Sequence, residues 1–539
     1  MGDGGTGKTS FKRKLMDVNA EMPKDKDTTL GIDVEKWGFS TTHPNSAKPE
    51  DVNFNVNIWD FGGQKVYRGT HQIFFTDKSF YVLVADTREQ GTDFSYWLNT
   101  VMQLAGDESG ILILLNKKHG HALKFDERGY RGYFGKIIKE VFEIDLQNDK
   151  TKISDLQDTM KFYLKRLPGI GDPLPPSWVQ IREDLLKETG HFITFERFRE
   201  ICADYEITDS NVIRTLSGYF SRIGVFTHYI DDPVLSERIY LDSNWLVNTV
   251  YEVLDNERVK EKKGRLTESD IKEIWRRQEL DFEINRLTQL MHNFGLMYRI
   301  PSSKDYVAPE HLPTDQPYDH WKYEGLPDIL YFIYEFDKYM PKGLMSRLIV
   351  SLNRYIKDHE LVWHRGFNIE LQGTHAEIIE TYGATNTFRI RIVGANKIEL
   401  LSIIRERFID VLKPFKNLNY KQLVPCPCPE CTKLPEPGFH DYDKLLNLRE
   451  KGKTGSQCPE GEIVEISELL RIIEFTKKTV EQEDTKPSEA TSLKTIDLFL
   501  ASSSELTDDR QQVEIWVNRE NKKLVNNGYF LKLNFGKIS

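Results

Sequence analysis

The sequence predicts an α/β fold built on a phosphate-binding loop, followed by modules of mixed α+β character. Residues Gly2, Asp3, Gly4, Gly5, Thr6, Gly7, Lys8 and Thr9 fit the pattern G-x-x-x-x-G-K-[ST] without a mismatch. Two short apolar runs, 80–85 and 111–115, suit parallel strands buried on both faces. Between the loop and these runs, Val52, Phe54, Val56 and Ile58 alternate with Asn53, Asn55 and Asn57, the period-two signature of a strand.

In the loop, glycines let successive backbone N–H groups curl around a β-phosphate, and the helix behind it adds the positive end of its dipole. Lys8 is then expected to reach the β/γ-phosphates and Thr9 to hold Mg²⁺. The alternative is a glycine-rich flexible tail. A buried strand precedes such a loop, yet only Met1 stands there, so the chain is expected to be clipped and to lack that strand of about six apolar residues. Residues 10–22 read as the helix behind the loop. The alternating strand delivers Asp60, Gly63 and Gln64 at its end. Asp60 is placed to bind Mg²⁺ through water, Gly63 to offer its N–H to a γ-phosphate, and Gln64 to orient an attacking water. The second apolar run ends in Asn116, Lys117, Lys118 and His119.

Composition sets outer bounds. The 539 residues are enough for roughly three or four domains. There is no apolar run of about eighteen residues and no signal peptide, so a protein that neither spans a membrane nor is exported by the usual route is expected. A net charge of -10 argues against a general nucleic-acid binder. Five cysteines do not make a disulfide scaffold, and a reducing cytoplasm is the expected compartment.

These segments resemble the Ras-like GTPases and, more closely, the Roc domain of the Roco family, whose W-D-F-G-G-Q stands here at residues 59–64 with the His-Gln pair at His71 and Gln72. The resemblance implies a P-loop GTPase-like domain over residues 1–170. It puts Thr29 in the first switch, where its hydroxyl serves Mg²⁺ and its backbone the γ-phosphate; an ordinary polar loop is the alternative. It also implies that Asn116 and Lys117 support guanine, since the family carries N-K-x-D there. His119 stands where the aspartate is expected. A carboxylate accepts two hydrogen bonds from the guanine edge and a neutral imidazole one, and a bidentate base contact is worth roughly 1–3 kcal/mol of discrimination. GTP is expected, with ATP or relaxed specificity as the alternative. Arg68 in the second switch reads as an arginine finger or as a solvated surface group.

The proline- and glycine-rich stretch 168–176 marks a boundary. Beyond it, Val212, Ile213, Leu216, Tyr219, Phe220 and Ile223 form one face of a helix with Asp209 as cap and Gly224 as stop. Runs 225–230 and 238–241, joined through Asp231, Asp232 and Pro233, complete the plan of a winged helix whose acidic tip argues against DNA phosphates. The order of Ser177-Trp178, residues 223–228 and residues 242–246 resembles the COR domain that comes after Roc. A break over 311–317 divides COR into a winged-helix-like first lobe, 177–315, and a mixed second lobe, 318–475. In the second lobe Phe388, Ile390 and Ile392 alternate as a strand, and Leu401, Ile404, Phe408, Val411, Leu412 and Phe415 share one helix face.

Four of the five cysteines, Cys426, Cys428, Cys431 and Cys458, fall in an insert at 424–460, with His440 between them. Clustered thiolates suit tetrahedral Zn²⁺, which would staple a loop-rich ribbon and leave His440 spare. The alternative is free cysteines in a proline-rich loop. Residues 476–494 read as a linker, and 495–539 as the start of a TIR-like module, strand, helix and strand, too short to bury its own core.

The reading as a whole is a bacterial-type Roco protein. It is expected to be an Mg²⁺-dependent GTP hydrolase of slow turnover, with Lys8, Gln64 and Arg68 as catalytic groups. A homodimer through COR and an attached effector are the partners that the resemblance implies. The rival is a non-hydrolysing scaffold that dimerises an effector.

Overall fold

In the computed structural model the described residues are 1–23, 32–42, 51–62, 75, 79–86, 92–117, 125–171, 174–276, 280, 283–301, 303–326, 328–337, 339–416, 418–434 and 436–471, with the backbone of 494–502 and 529–537. The chain divides into two compact units, Met1–Phe475 and Thr476–Ser539.

The first unit opens with helix α1 (Lys8–Met16), which starts from Gly7 at φ 99°. The expected helix over 10–22 stops at Met16, because Asp17 turns extended and its carboxylate accepts the N–H of Asn19. Strands β1 (Ile32–Thr42) and β2 (Asp51–Phe61) form an antiparallel ribbon in register from Ile32↔Phe61 to Thr42↔Asp51. Strands β3 (Phe80–Asp86), β4 (Gly110–Asn116) and β5 (Ile138–Ile144) form a parallel sheet in the order β3-β4-β5. Both apolar runs are thus parallel strands, and β4 is buried along its whole length. Its odd residues pack with helix α2 (Phe94–Leu104), which Asp93 caps. Its even ones pack with α1 and the helix Lys150–Leu164. Met1 pairs its backbone with β3, so the loop springs from beside that strand (Val84 N–H to Met1 O, 2.9 Å).

The next segment holds the expected helix, Ser210–Arg222, with Asp209 accepting the N–H groups of Asn211 and Val212. Ile213, Leu216 and Phe220 are buried on it, whereas Val212 and Ile223 are exposed. The wing is shorter than expected. Its strands are β7 (Thr227–His228) and β8 (Arg238–Tyr240), joined by β6 (Phe192–Thr194) in the order β6-β8-β7. Asp232 draws the chain out of the strand by accepting the N–H groups of Val234 and Leu235, which starts a 3-10 turn. Helices Ser243–Leu254, Glu268–Ile274 and Ile284–Asn293 come next, with the small sheet of β9 (Arg265–Leu266), β10 (Tyr298–Arg299) and β11 (Tyr306–Val307).

A seven-stranded antiparallel sheet dominates the rest of the unit. It comprises β12 (Leu330–Phe336), β13 (Val362–Trp363), β14 (Gly366–Leu371), β15 (Thr374–Thr381), β16 (Asn386–Val393), β17 (Tyr420–Pro425) and β18 (Phe439–Asp441), in the order β13-β14-β15-β16-β12-β17-β18. The helix Lys397–Leu412 packs its Leu401, Ile404, Phe408 and Leu412 into the core of this sheet, and Phe415 joins that core from beyond the helix end. The cysteine-bearing insert is no separate ribbon. It supplies β18 to the sheet, then a helix, Tyr442–Glu450, and a hairpin of β19 (Gly455–Gln457) with β20 (Ile463–Glu465).

In the second unit, β21 (Lys494–Ser502) and β22 (Tyr529–Lys537) pair in parallel. The helix expected between them lies outside the described residues. Among the described residues, no helix is long and apolar enough to cross a membrane.

Candidate functional site

The glycines of the loop are needed for its shape. Gly2, Gly5 and Gly7 have φ of 134°, 75° and 99°, values that favour glycine. A Cβ on Gly2 would lie 2.2 Å from the Val84 carbonyl oxygen, and one on Gly7 would lie 2.4 Å from Asn116 Nδ2. The loop is held from within by the Asp3 carbonyl, which accepts from Thr6 Oγ1 at 2.9 Å and from Lys8 Nζ at 2.7 Å. Lys8 is buried, so its ammonium is aimed along the loop rather than into bulk water.

Two oxygens of the kind that bind hard cations meet at the head of α1. Thr9 Oγ1 donates to Asp60 Oδ2 at 2.9 Å, although the residues are 51 apart in sequence. A hydroxyl and a carboxylate so placed fit Mg²⁺, a small oxygen-seeking ion, better than a soft metal. Asn116, buried at the end of β4, donates Nδ2 to the Thr6 carbonyl at 3.0 Å and thereby ties the end of that strand to the loop. Lys117 makes an ion pair with Glu143 at 3.0 Å, both side chains being about a third or more exposed. Thr29, Gly63, Gln64, Arg68 and His119 lie outside the described residues, as do His71 and Gln72.

Sequence reasoning missed Lys12. One helical turn beyond Lys8, its side chain is 5% exposed and its ammonium pairs with Asp33 and, at 2.8 Å, with Glu35. Burial pulls the Lys12 pKa down, but the hydrogen bonds to the two carboxylates outweigh it and hold the group above the ordinary lysine value. Asp33 faces Asp60 across the ribbon. The only signal for this link was the i, i+4 spacing of Lys8 and Lys12 on one helix face.

The β1–β2 ribbon also reaches forward in the chain. Asn244, in the first turn of the helix Ser243–Leu254, accepts the Val34 N–H at 2.7 Å and donates to the Val34 carbonyl at 2.9 Å. Ile32 and Phe61, the paired end residues of the ribbon, share a core with Tyr240, Trp245 and Leu246. Asn57 Nδ2 donates to the Gly224 carbonyl at 3.3 Å. Replacing Asn244 with Ala removes both bonds to Val34, and we expect about 1–3 kcal/mol loss of stability. A denaturant midpoint equal to that of the parent would mean that water substitutes fully for the side chain. On the far side of the domain, α2 meets the large sheet module through Thr100 Oγ1 and Tyr339 OH at 2.9 Å, and the Gln103 carbonyl accepts the Lys416 N–H.

The cysteines converge elsewhere. Sγ atoms of Cys426, Cys428, Cys431 and Cys458 all lie within 4.8 Å of one another, and all four residues are buried. His440 is not among them; its Nδ1 faces Ser456 Oγ at 3.2 Å. Cys202 is a core residue, with its thiol pushed up to about 12 by burial.

A phosphate-binding loop on a parallel sheet, bound through a β-ribbon to an α+β partner module, defines the class as a P-loop domain packed against its C-terminal neighbour. Three family models match in succession: Ras of Complex, Roc, domain of DAPkinase over residues 1–119; C-terminal of Roc, COR-A domain over 175–312; and C-terminal of Roc, COR-B domain over 327–472. The chain thus carries a Roc GTPase domain followed by COR-A and COR-B domains. It is similar to a Roc-COR-CHAT protease of an unknown prokaryotic organism, 27% identical over 78% of this chain and 40% of the relative. A second Roc-COR-CHAT protease, from Runella zeae, is 28% identical over 71% and 42% respectively. The chain therefore spans about two fifths of the length of these relatives. Among solved structures, the chain is similar to the Methanosarcina barkeri Roco2 RocCORdC bound to GDP, 29% identical and covering 58% of this chain and 94% of that one, with a TM-score of 0.49.

Proposed function

We propose that the chain is a guanine-nucleotide switch that binds GTP with Mg²⁺, hydrolyses it slowly and passes the state of the nucleotide to COR. The meeting of Thr9 and Asp60 at the mouth of the glycine loop carries this reading. In it, Lys8 and the loop N–H groups hold the phosphates, Thr9, Asp60 and Thr29 hold Mg²⁺, and the Gly63 N–H meets the γ-phosphate. Mg²⁺, when bound, neutralises charge on the β- and γ-phosphate oxygens. Gln64 orients the water that attacks the γ-phosphorus as the bond to the β-phosphate oxygen breaks, releasing GDP and inorganic phosphate. Arg68 stabilises the charge that develops during transfer.

The coupling route is the β1–β2 ribbon. One strand of it leads from Thr29 and the other to Gly63 and Gln64, and their shared end joins the COR-A core through Ile32 and Phe61. Ordering of either switch by a γ-phosphate would be felt there first. Homodimerisation through COR and control of an attached module complete the proposal. For that module, the parallel pair β21–β22 favours a TIR-like opening, while the prokaryotic relatives are named for a CHAT protease. A relaxed choice between GTP and ATP is the second reading, favoured by His119 in the aspartate position and by the engagement of Lys117 with Glu143.

Steady-state phosphate release from GTP and from ATP, each with Mg²⁺, tests the proposal. GTP turnover is expected, slowed about a hundredfold in Gln64→Leu by loss of an oriented polar contact to the reacting water. Nucleotide binding without turnover in the parent protein would leave the scaffold reading standing instead.

A further inference from the structure

We propose that Cys426, Cys428, Cys431 and Cys458 form a closed, structural zinc(II) site that fastens the 426–465 arm to the last strands of the COR-B sheet. The four sulfurs come from two chain segments and converge on one point, all within 4.8 Å of one another. Two of the separations, Cys428 to Cys458 and Cys431 to Cys458, are 3.8 Å. A regular tetrahedron with Zn–S bonds of about 2.3 Å has edges of about 3.8 Å, whereas a disulfide needs about 2.05 Å. The spacing is that of four ligands around an ion.

The backbone is shaped for sulfur that carries charge. The Cys431 N–H donates to Cys428 Sγ at 3.4 Å, and Thr432 N–H closes the turn onto the Cys428 carbonyl at 3.0 Å. A second tight turn holds Cys458, with Gly461 N–H on its carbonyl at 3.0 Å and its own N–H on Glu462. Gly438 leaves room for the cluster: a Cβ there would stand 2.8 Å from Cys431 Sγ, and the Gly438 carbonyl accepts the Cys426 N–H. Four protein ligands leave no open position, which makes the site structural rather than catalytic. Binding exchanges thiol protons for the ion, up to four protons released per Zn²⁺, with no change of oxidation state.

The arm needs such a fastening. Apart from the cysteines, its fully buried apolar side chains in this core are Leu445 and Val464, with Tyr442, Leu446 and Leu448 half-buried against them, and the cysteines complete the core they belong to. Short segments with so little apolar surface are commonly held by a metal or by disulfides.

Elemental analysis of the full chain, purified without chelator, is expected to give about one zinc per chain. The Cys428→Ser, Cys458→Ser double variant should fall to about none, while Cys202→Ser keeps its zinc. Because the double variant can fail to fold, the parent protein provides a second measurement. Exchange with Co²⁺ should produce thiolate-to-cobalt charge-transfer absorption together with the intense visible bands of a tetrahedral centre, and chelation should lower the melting temperature. Four free thiols on a metal-free folded protein, two disulfides, or iron in place of zinc would each overturn the assignment. None of these outcomes depends on whether GTP is turned over.

Discussion

Lys8→Ala is expected to remove half or more of the stabilisation that GTP with Mg²⁺ gives the parent protein in the proposed switch. A ligand at a hundred times its Kd raises stability by about 2.7 kcal/mol, and the variant should keep about 0.4–1.4 kcal/mol of this at the same concentration. The ammonium is the one full positive charge in the loop, is buried, and is held in line with the phosphate cradle by the Asp3 carbonyl. A hydrogen bond to a charged partner is worth roughly 1.5–3 kcal/mol, so affinity should fall about ten- to a hundredfold or more. The nucleotide-free protein should hardly change, since removing a buried ammonium also removes the cost of keeping it from water. Differential scanning fluorimetry with and without nucleotide reads both quantities. An unchanged shift in the variant would mean that nucleotide binds without the loop.

Phe408→Ala should cost about 3–5 kcal/mol, the range for emptying a large buried aromatic site. Phe408 is 1% exposed, stacks on Tyr334 with ring centres 3.9 Å apart, and meets Phe388 edge-on at 5.0 Å. These rings join the helix Lys397–Leu412 to the two central strands β12 and β16, so the cavity cannot close without moving the helix. Chemical denaturation is the measurement, and a loss under about 1 kcal/mol would show that the site collapses freely.

The contrast between these sites explains what the sequence could and could not disclose. The loop, β3 and β4 are legible because their determinants are local: glycines where φ is positive, and apolar runs of strand length. Asp60 is legible by motif, and its meeting with Thr9 comes from the folding of the ribbon back onto α1. The wing falls short of its apolar pattern because a carboxylate capping the next turn competes with strand pairing, and Asp232 wins. Phe415 fits the period of a helix that ends three residues earlier, since an apolar residue serves a core equally well from the loop beyond. Strands β13, β14 and β15 raise no expectation at all, because short strands in a large antiparallel sheet owe their pairing to tertiary context. Lys12 and Asn244 escape because their partners lie on elements distant in sequence, and the i, i+4 spacing of Lys8 and Lys12 marks a shared helix face without naming what it meets.

The ribbon that carries Asp60 is gripped at one end by two different bodies. Lys12 fastens Asp33 and Glu35 from the nucleotide side, and Asn244 fastens Val34 from the COR side, on neighbouring residues of a single strand. Thermodynamic reciprocity then applies to the proposed switch: whatever factor nucleotide imposes on an equilibrium within COR, a molecule that biases COR imposes on nucleotide affinity. A ligand of the COR region would thus act as an exchange or retention factor without approaching the phosphates.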